Sequence, residues 1–176
     1  MVESRTQRTR KMEVSFWSHQ PLTPQSLTQI ESVVHRMMEN LDLVHDLSPE
    51  SELSVSLVEA SSIAEMNERF LQHEGPTDVL TFDLRDGTPP HQDLGEIIIC
   101  TDVAAENAHE YKTSLSRELT LYLVHGLLHL AGHDDHHEPA ITKMRQAEQD
   151  ALALLADRFD LDRLFAFSGG LSSTAV

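Results

Sequence analysis

A single cysteine, Cys100, leaves no intramolecular disulfide to form, so a reducing compartment is the natural setting. Cys100 follows the apolar run Ile97-Ile98-Ile99 and reads as a small buried hydrophobe rather than a reactive thiol. Long apolar runs are lacking as well. The longest, Leu119 to Ala131, is short for a membrane span and carries two histidines. Met1 to Val14 is polar and basic and has no apolar core of the kind a secretory signal needs. A cytoplasmic protein with no membrane partner is the expectation.

Basic residues are scarce. Lys and Arg number 13 against 29 Asp and Glu, which sets the net charge at −16. Four of those cations (Arg5, Arg8, Arg10 and Lys11) lie close to the N-terminus, so the body is more acidic still. That balance argues against a broad grip on nucleic acid through its phosphates. It leaves room for a local site, because a bound cation can dominate the field where chemistry occurs.

What is present reads as an ordinary soluble domain, with 176 residues, 40% hydrophobic and 24% charged. Residues 1–11 form a basic arm expected to be flexible, 12–165 a single domain, and 166–176 a Gly/Ser/Thr-rich tail expected to be disordered. No internal repeat is visible. Strands are expected at Met12–Trp17, Leu53–Val58, Val79–Leu84 and Gly95–Thr101. The first helix follows Thr23-Pro24, an N-cap and an N1 proline, and its apolar residues recur from Leu27 to Leu41. A second is expected after Ser61 or Ser62, with Glu65 closing a capping box and Gly75-Pro76 ending it. Further helices are expected from Asp102 to about Tyr111, after Ser114 or Ser116 to Leu130, and over about Glu138 to Arg158. The fourth is apolar on nearly every face, as a buried helix is. The whole predicts an α/β (α+β) domain, with a small mixed sheet of about four strands packed with about five helices.

Five of the 11 histidines fall in the run His125-Gly126-Leu127-Leu128-His129-Leu130-Ala131-Gly132-His133-Asp134-Asp135-His136-His137. Residues four apart share one helix face, so His125 and His129 can turn their imidazoles onto one zinc ion. Gly132 is a natural helix end, and the chain beyond it can bring a third ligand back to the same metal. Two histidines on so apolar a helix otherwise need separate hydrogen-bond partners. A metallopeptidase helix of HExxH type carries its glutamate base beside the first histidine. Here that position is Gly126, which disfavours peptidase chemistry. No general base can be named from the sequence.

The run HGLLHLAG with its acidic turn resembles the YbeY endoribonuclease family, the bacterial rRNA maturation factors. The resemblance runs from about Leu53 to Glu148. It takes in Met66-Asn67 and Phe70, the segment Pro76-Thr77-Asp78-Val79-Leu80-Thr81-Phe82, the strand Leu94-Gly95-Glu96-Ile97, and Met144. The resemblance implies a zincin-like metal helix, one Zn2+, and hydrolysis of phosphodiester bonds in single-stranded rRNA. The expected setting is 16S rRNA 3′-end processing and ribosome biogenesis or quality control. The partners implied are single-stranded rRNA and the ribosomal subunit or its proteins, with no DNA.

His125, His129 and Asp135 are the implied metal ligands, with His136 as the alternate third. The family has histidine where Asp135 stands. Asp134 is expected to orient a ligating histidine or to cap the turn, and Thr77 and Asp78 to line the substrate groove. Leu71 stands where the family has an arginine thought to face RNA. Two rival readings are a metallopeptidase-like hydrolase and a non-catalytic, metal-stabilised ribosome-assembly factor.

Overall fold

The computed structural model describes residues 12–169, so the arm expected over 1–11 lies outside the described residues, as does the tail beyond 169. The elements run β1 (Glu13–Ser18), α1 (Pro24–Asn40), β2 (Leu47–Val58), α2 (Ala60–Leu71), β3 (Val79–Asp83), β4 (His91–Cys100), α3 (Thr101–Tyr111), α4 (Leu115–Leu130) and α5 (Ala140–Ala156). The four strands form one sheet in the order β1-β2-β4-β3. β1, β2 and β4 run parallel, and β3 is antiparallel to β4 at the edge. This is the mixed α/β domain the sequence predicts.

Period-two alternation divides the central strands between two cores. Leu53, Val55 and Leu57 of β2 and Ile97 and Ile99 of β4 join the larger core with residues of α1 and α4. On the opposite face Val58, Ile98 and Cys100 pack with Leu80 and with Ile63 of α2. Cys100 is fully buried, as its apolar neighbours foretell. Helix α1 starts as expected: the Thr23 hydroxyl accepts a hydrogen bond from the Ser26 N–H at 3.2 Å, and Pro24 follows the cap. Ile30, Val33, Val34, Met37 and Met38 form its buried stripe.

Several expected boundaries move. β2 begins at Leu47 and β4 at His91, earlier than their apolar halves, because irregular pairing around Glu52 carries polar residues into the sheet. Helix α2 begins at Ala60, so neither Ser61 nor Ser62 caps it. The Asp102 carboxylate of α3 accepts the Ala60 N–H at 2.7 Å instead, a cap supplied from a distant part of the chain. The same helix ends at Leu71, where Gln72 takes a left-handed conformation ahead of Gly75-Pro76. Ser114 caps α4 through the Arg117 N–H, while the Ser116 hydroxyl donates to Leu161 O at 2.6 Å. The chain also stays paired past the boundary drawn at 165. The Ala166 N–H donates to Ser26 Oγ at 2.9 Å and the Ser168 N–H to Pro21 O at 2.7 Å.

Helix α4 is the buried helix its composition predicts, with Leu119, Leu123, Val124, Leu127, Leu128 and Leu130 all within the core. Gly126 lets it approach the sheet. A Cβ at that position would stand 2.8 Å from Ile97 Cγ2 and 3.0 Å from Thr81 Oγ1. A side chain there must push the helix away from β3 and β4. Replacing Gly126 with alanine should lower the unfolding free energy by about 1–3 kcal/mol, as overpacking does. Denaturant titration of the two proteins reads this directly, and equal midpoints would mean that the helix yields without strain.

Candidate metal centre

His125 and His129 project from α4 one turn apart, with their rings edge to face and centroids 4.5 Å apart. Past Leu130 the helix closes in a Schellman turn, with the Gly132 N–H on His129 O and the His133 N–H on Leu128 O. Gly132 adopts φ +91, which a side chain would strain. Arg85 ties this end of the helix to the sheet. Its guanidinium donates to Leu130 O at 2.7 Å and to the Asp83 carboxylate, holding the Asp83 carboxyl below the usual carboxylate range.

The turn brings Asp135 back over the helix. Among the described residues, His125, His129 and Asp135 form a group whose ligand atoms all lie within 4.8 Å of one another. The His125 and His129 Nε2 atoms are 2.8 Å apart, and the Asp135 oxygens lie 3.5 Å and 3.6 Å from them. His136, the alternate third ligand, stands beside that group: its Nδ1 lies 2.5 Å from Asp134 and 3.6 Å from Asp135, and these three form a second, more exposed group that could hold an ion. Asp134 also accepts the N–H groups of Asp135 and His136, so it orders the turn rather than touching a ligating ring.

The outer nitrogen of each imidazole is already committed. His125 Nδ1 is 2.6 Å from the Glu148 carboxylate, and His129 Nδ1 is 3.0 Å from the His133 carbonyl. Both partners accept only, so both Nδ1 atoms carry hydrogen. In neutral rings, each Nε2 is then a lone pair. Two lone pairs facing each other at 2.8 Å beside a carboxylate repel unless a cation stands among them. A tetrahedral ion with ligands at about 2.0–2.1 Å spaces its donor atoms by about 3.3 Å, close to the separations present. The donor set therefore fits a metal ion.

The proton is the metal's competitor. Burial disfavours a charged His125, but the Glu148 carboxylate outweighs it, so the pKa lies above the ordinary 6.5. Burial and the neighbouring His125 hold His129 below that value. The two rings are thus shifted in opposite directions, and a proton on either Nε2 would compete with a metal ion.

Two clefts meet at the cluster. One, of about 660 Å3, runs between α3, α4 and α5 and is lined in part by Asp78, Tyr122, His125, Asp135 and Glu148. The other, of about 370 Å3, runs along β3 past Thr77, Asp78 and Thr81 to His129. Thr77 and Asp78 are thus groove residues, with Asp78 in both clefts. Their loop is held from α2, where the buried Asn67 amide donates to Gly75 O at 2.9 Å. The Leu71 side chain lies outside the described residues.

Sequence reasoning missed Glu148. Yet Met144, Ala151 and Leu155 are the buried residues of α5, and Glu148 falls on their stripe. A carboxylate in an apolar stripe was the available signal.

The class is that of α/β domains in which a buried helix carries two histidines and a returning turn adds a carboxylate, a group that could hold a metal ion. The family model described as Endoribonuclease YbeY matches residues 18–156, and the chain belongs to that family of RNA-cleaving enzymes. It is 38% identical over 125 residues to the Endoribonuclease YbeY of Corynebacterium efficiens, covering 65% of this chain and 61% of that one. The Lysinibacillus sphaericus protein of the same name is 36% identical over 141 residues, covering 74% and 88% of the two chains. In fold, the chain is similar to the solution structure of TM1509 from Thermotoga maritima, with a TM-score of 0.51, 24% identity and coverage of 82% and 93%.

Replacing Glu148 with glutamine should weaken metal binding about 10- to 100-fold, the usual cost of losing a carboxylate behind a ligating histidine. Binding should also fall about tenfold per pH unit below the His125 pKa, because one proton leaves for each ion bound. Competition with a chromophoric chelator across pH measures both. An unchanged affinity in the variant would remove Glu148 from the site.

Proposed function

We propose that the protein is a Zn2+-dependent endoribonuclease that hydrolyses phosphodiester bonds in single-stranded rRNA, with a role in 16S rRNA 3′-end maturation and ribosome biogenesis. The observation that carries the reading is the convergence of two imidazole lone pairs and one carboxylate at the junction of two open clefts. Membership of the YbeY family supplies the substrate class. On this reading His125, His129 and Asp135 hold one zinc ion, and ribosomal RNA within the subunit is the partner. The acidic body then docks against basic ribosomal proteins rather than RNA phosphates, in the cytoplasm.

A bound Zn2+ supplies Lewis-acid polarisation of a phosphoryl oxygen at this position. The chain's own residues do the rest. Glu148 and the His133 carbonyl fix the tautomer and tilt of the two imidazoles. Asp78 faces both clefts beside the cluster, and its Oδ1 accepts the Thr77 hydroxyl and the Val79 N–H, which hold it in place. We assign it the proton that the attacking water loses as its oxygen bonds to phosphorus, a proton that passes to the ribose oxygen as the P–O bond breaks and the ribose leaves as an alcohol. Gly126 offers no side chain for that task.

Neither rival has comparable support. A peptidase base beside His125 would collide with Ile97 and Thr81. A structural zinc site is closed by four protein ligands, whereas this cluster has three and opens onto clefts.

Wild type and His129→Ala, purified identically, should differ in cleavage of a single-stranded rRNA fragment, with activity confined to the zinc-loaded wild type. Equal activity, or equal inertness, in both sinks the nuclease reading. Asp78→Asn should lower kcat by about 100-fold or more, the scale of general-base catalysis, with zinc binding retained. A kcat within a few-fold of wild type would move the proton to another acceptor.

A further inference from the structure

The larger cleft carries more chemistry than the metal cluster uses. Its carboxylates are all engaged. Asp135 faces the two histidines, Glu148 holds His125, and Asp78 accepts from its own loop. Glu118, nearly buried, accepts the Thr113 hydroxyl. Two lining side chains have no such engagement. Arg145 is the cleft's lone Lys or Arg, and among the described residues its guanidinium has no carboxylate partner. Tyr111, at the end of α3, leaves 64% of its surface exposed at the rim. An unpaired cation and an unpacked aromatic ring on the walls of one cleft need an occupant that is both anionic and flat-faced. A strand of single-stranded RNA is both, since stacked bases alternate with phosphates.

The placement supports the same occupant. Arg145 precedes Glu148 by three residues on α5, so the two share a helix face, and Glu148 is the residue that holds His125. The cation therefore looks into the cleft from the same side as the metal centre. On the opposite wall the Asn107 amide donates to the Tyr122 hydroxyl at 2.6 Å, which leaves that hydroxyl's own hydrogen for the cleft. Burial pushes the Tyr122 pKa up to about 12, so the hydroxyl stays a donor at neutral pH. The cleft thus offers a stacking ring, a phosphate-binding cation and a hydrogen-bond donor for a base edge.

We propose that this cleft is a nucleotide subsite for the RNA strand, in which Tyr111 stacks on a base and Arg145 holds a phosphate next to the scissile bond. The assignment rests on the endoribonuclease reading for its substrate, but not on turnover for its test. Arg145 and Tyr111 act here as positioning residues. With so few cations in the cleft, affinity comes mainly from stacking and depends only weakly on salt.

The test is fluorescence anisotropy of a short, labelled single-stranded RNA with the full-length, zinc-loaded protein, run over a range of salt concentrations. Tyr111→Ala should weaken binding about tenfold or more, while Tyr111→Phe retains it, because stacking needs the ring and not the hydroxyl. Arg145→Gln should flatten the slope of log affinity against log salt by about 0.7, the value of one phosphate contact on a single strand, and Arg145→Lys should restore it. In cleavage assays both losses should appear in KM rather than kcat. Equal thermal melting of the variants establishes that the fold is intact. Wild-type affinity in both Tyr111→Ala and Arg145→Gln would overturn the subsite, as would equal binding of a duplex of the same sequence. RNA binding that responds to these variants without His129-dependent cleavage would keep the subsite and remove the nuclease. No RNA binding by wild type would remove both.

Discussion

The contact between Gly126 and the sheet governs the rest of the site. Helix α4 is apolar on nearly all sides and must be covered on nearly all sides, yet it has to leave two histidines within reach of solvent. It does so by pressing its 126 side so closely on Ile97 and Thr81 that no Cβ fits there. Leu123 and Leu127 then sink into the larger core. His125 and His129, rotated from Gly126 around the helix, are carried to the rim of the sheet beside β3. The clefts exist because the sheet ends there. A helix held farther off would leave voids under its leucines, at a cost of about 24 cal/mol per Å3 of cavity.

The second constraint is electrostatic. A chain of net charge −16 would not be expected to gather two further carboxylates around a pair of half-buried imidazoles. The arrangement becomes reasonable once the hydrogen bonds are followed outward. Glu148 and the His133 carbonyl each take an Nδ1 hydrogen, which turns both Nε2 lone pairs inward. Asp135 adds negative charge to the same point. Against the cost of burial, Glu148 raises the His125 pKa, while burial and His125 lower that of His129. A divalent ion would offset the charges of Asp135 and Glu148 and give an otherwise acidic molecule one local Lewis-acid centre. On the proposed reading this is how a body that repels phosphate can still draw a phosphodiester to one place.

Much of this was legible in the residues. The spacing of His125 and His129, the glycine that ends their helix and the apolar runs of the central strands are local signals, and each led to the right element. Asp135 came from the family resemblance, which puts the third ligand position there between Gly132 and Met144. What escaped was long-range. Asp102 caps a helix some forty residues earlier, so Ser61 and Ser62, good caps by local rules, fall inside the helix, past its N-cap position at Glu59. The polar halves of β2 and β4 pair through an irregular register that shifts on either side of Glu52, and no alternation marks them. Glu148 needed the partner helix in view before a charge on an apolar stripe became a reason to look for a histidine. Ala166 and Ser168 look like the start of a loose tail, yet they are held by Ser26 and Pro21, from the other end of the domain.

Packing also accounts for the chemistry that the helix does not perform. Two histidines four apart on a helix can serve peptide or phosphodiester hydrolysis equally well, and the difference lies in where the proton goes. A glutamate beside the first histidine would have to occupy the space that Ile97 and Thr81 fill. On the proposed reading the proton acceptor therefore comes from another element. β3 runs antiparallel along the edge beside α4, and the loop that leads into it is fastened by Asn67 to the end of α2. That loop delivers Asp78 to the junction of the two clefts with one carboxylate oxygen already satisfied. On the proposed reading, the two histidine ligands on the helix and a proton acceptor on the sheet edge are then positioned by different parts of the core. The distance between them is set by the same close approach at Gly126 that excludes the peptidase arrangement.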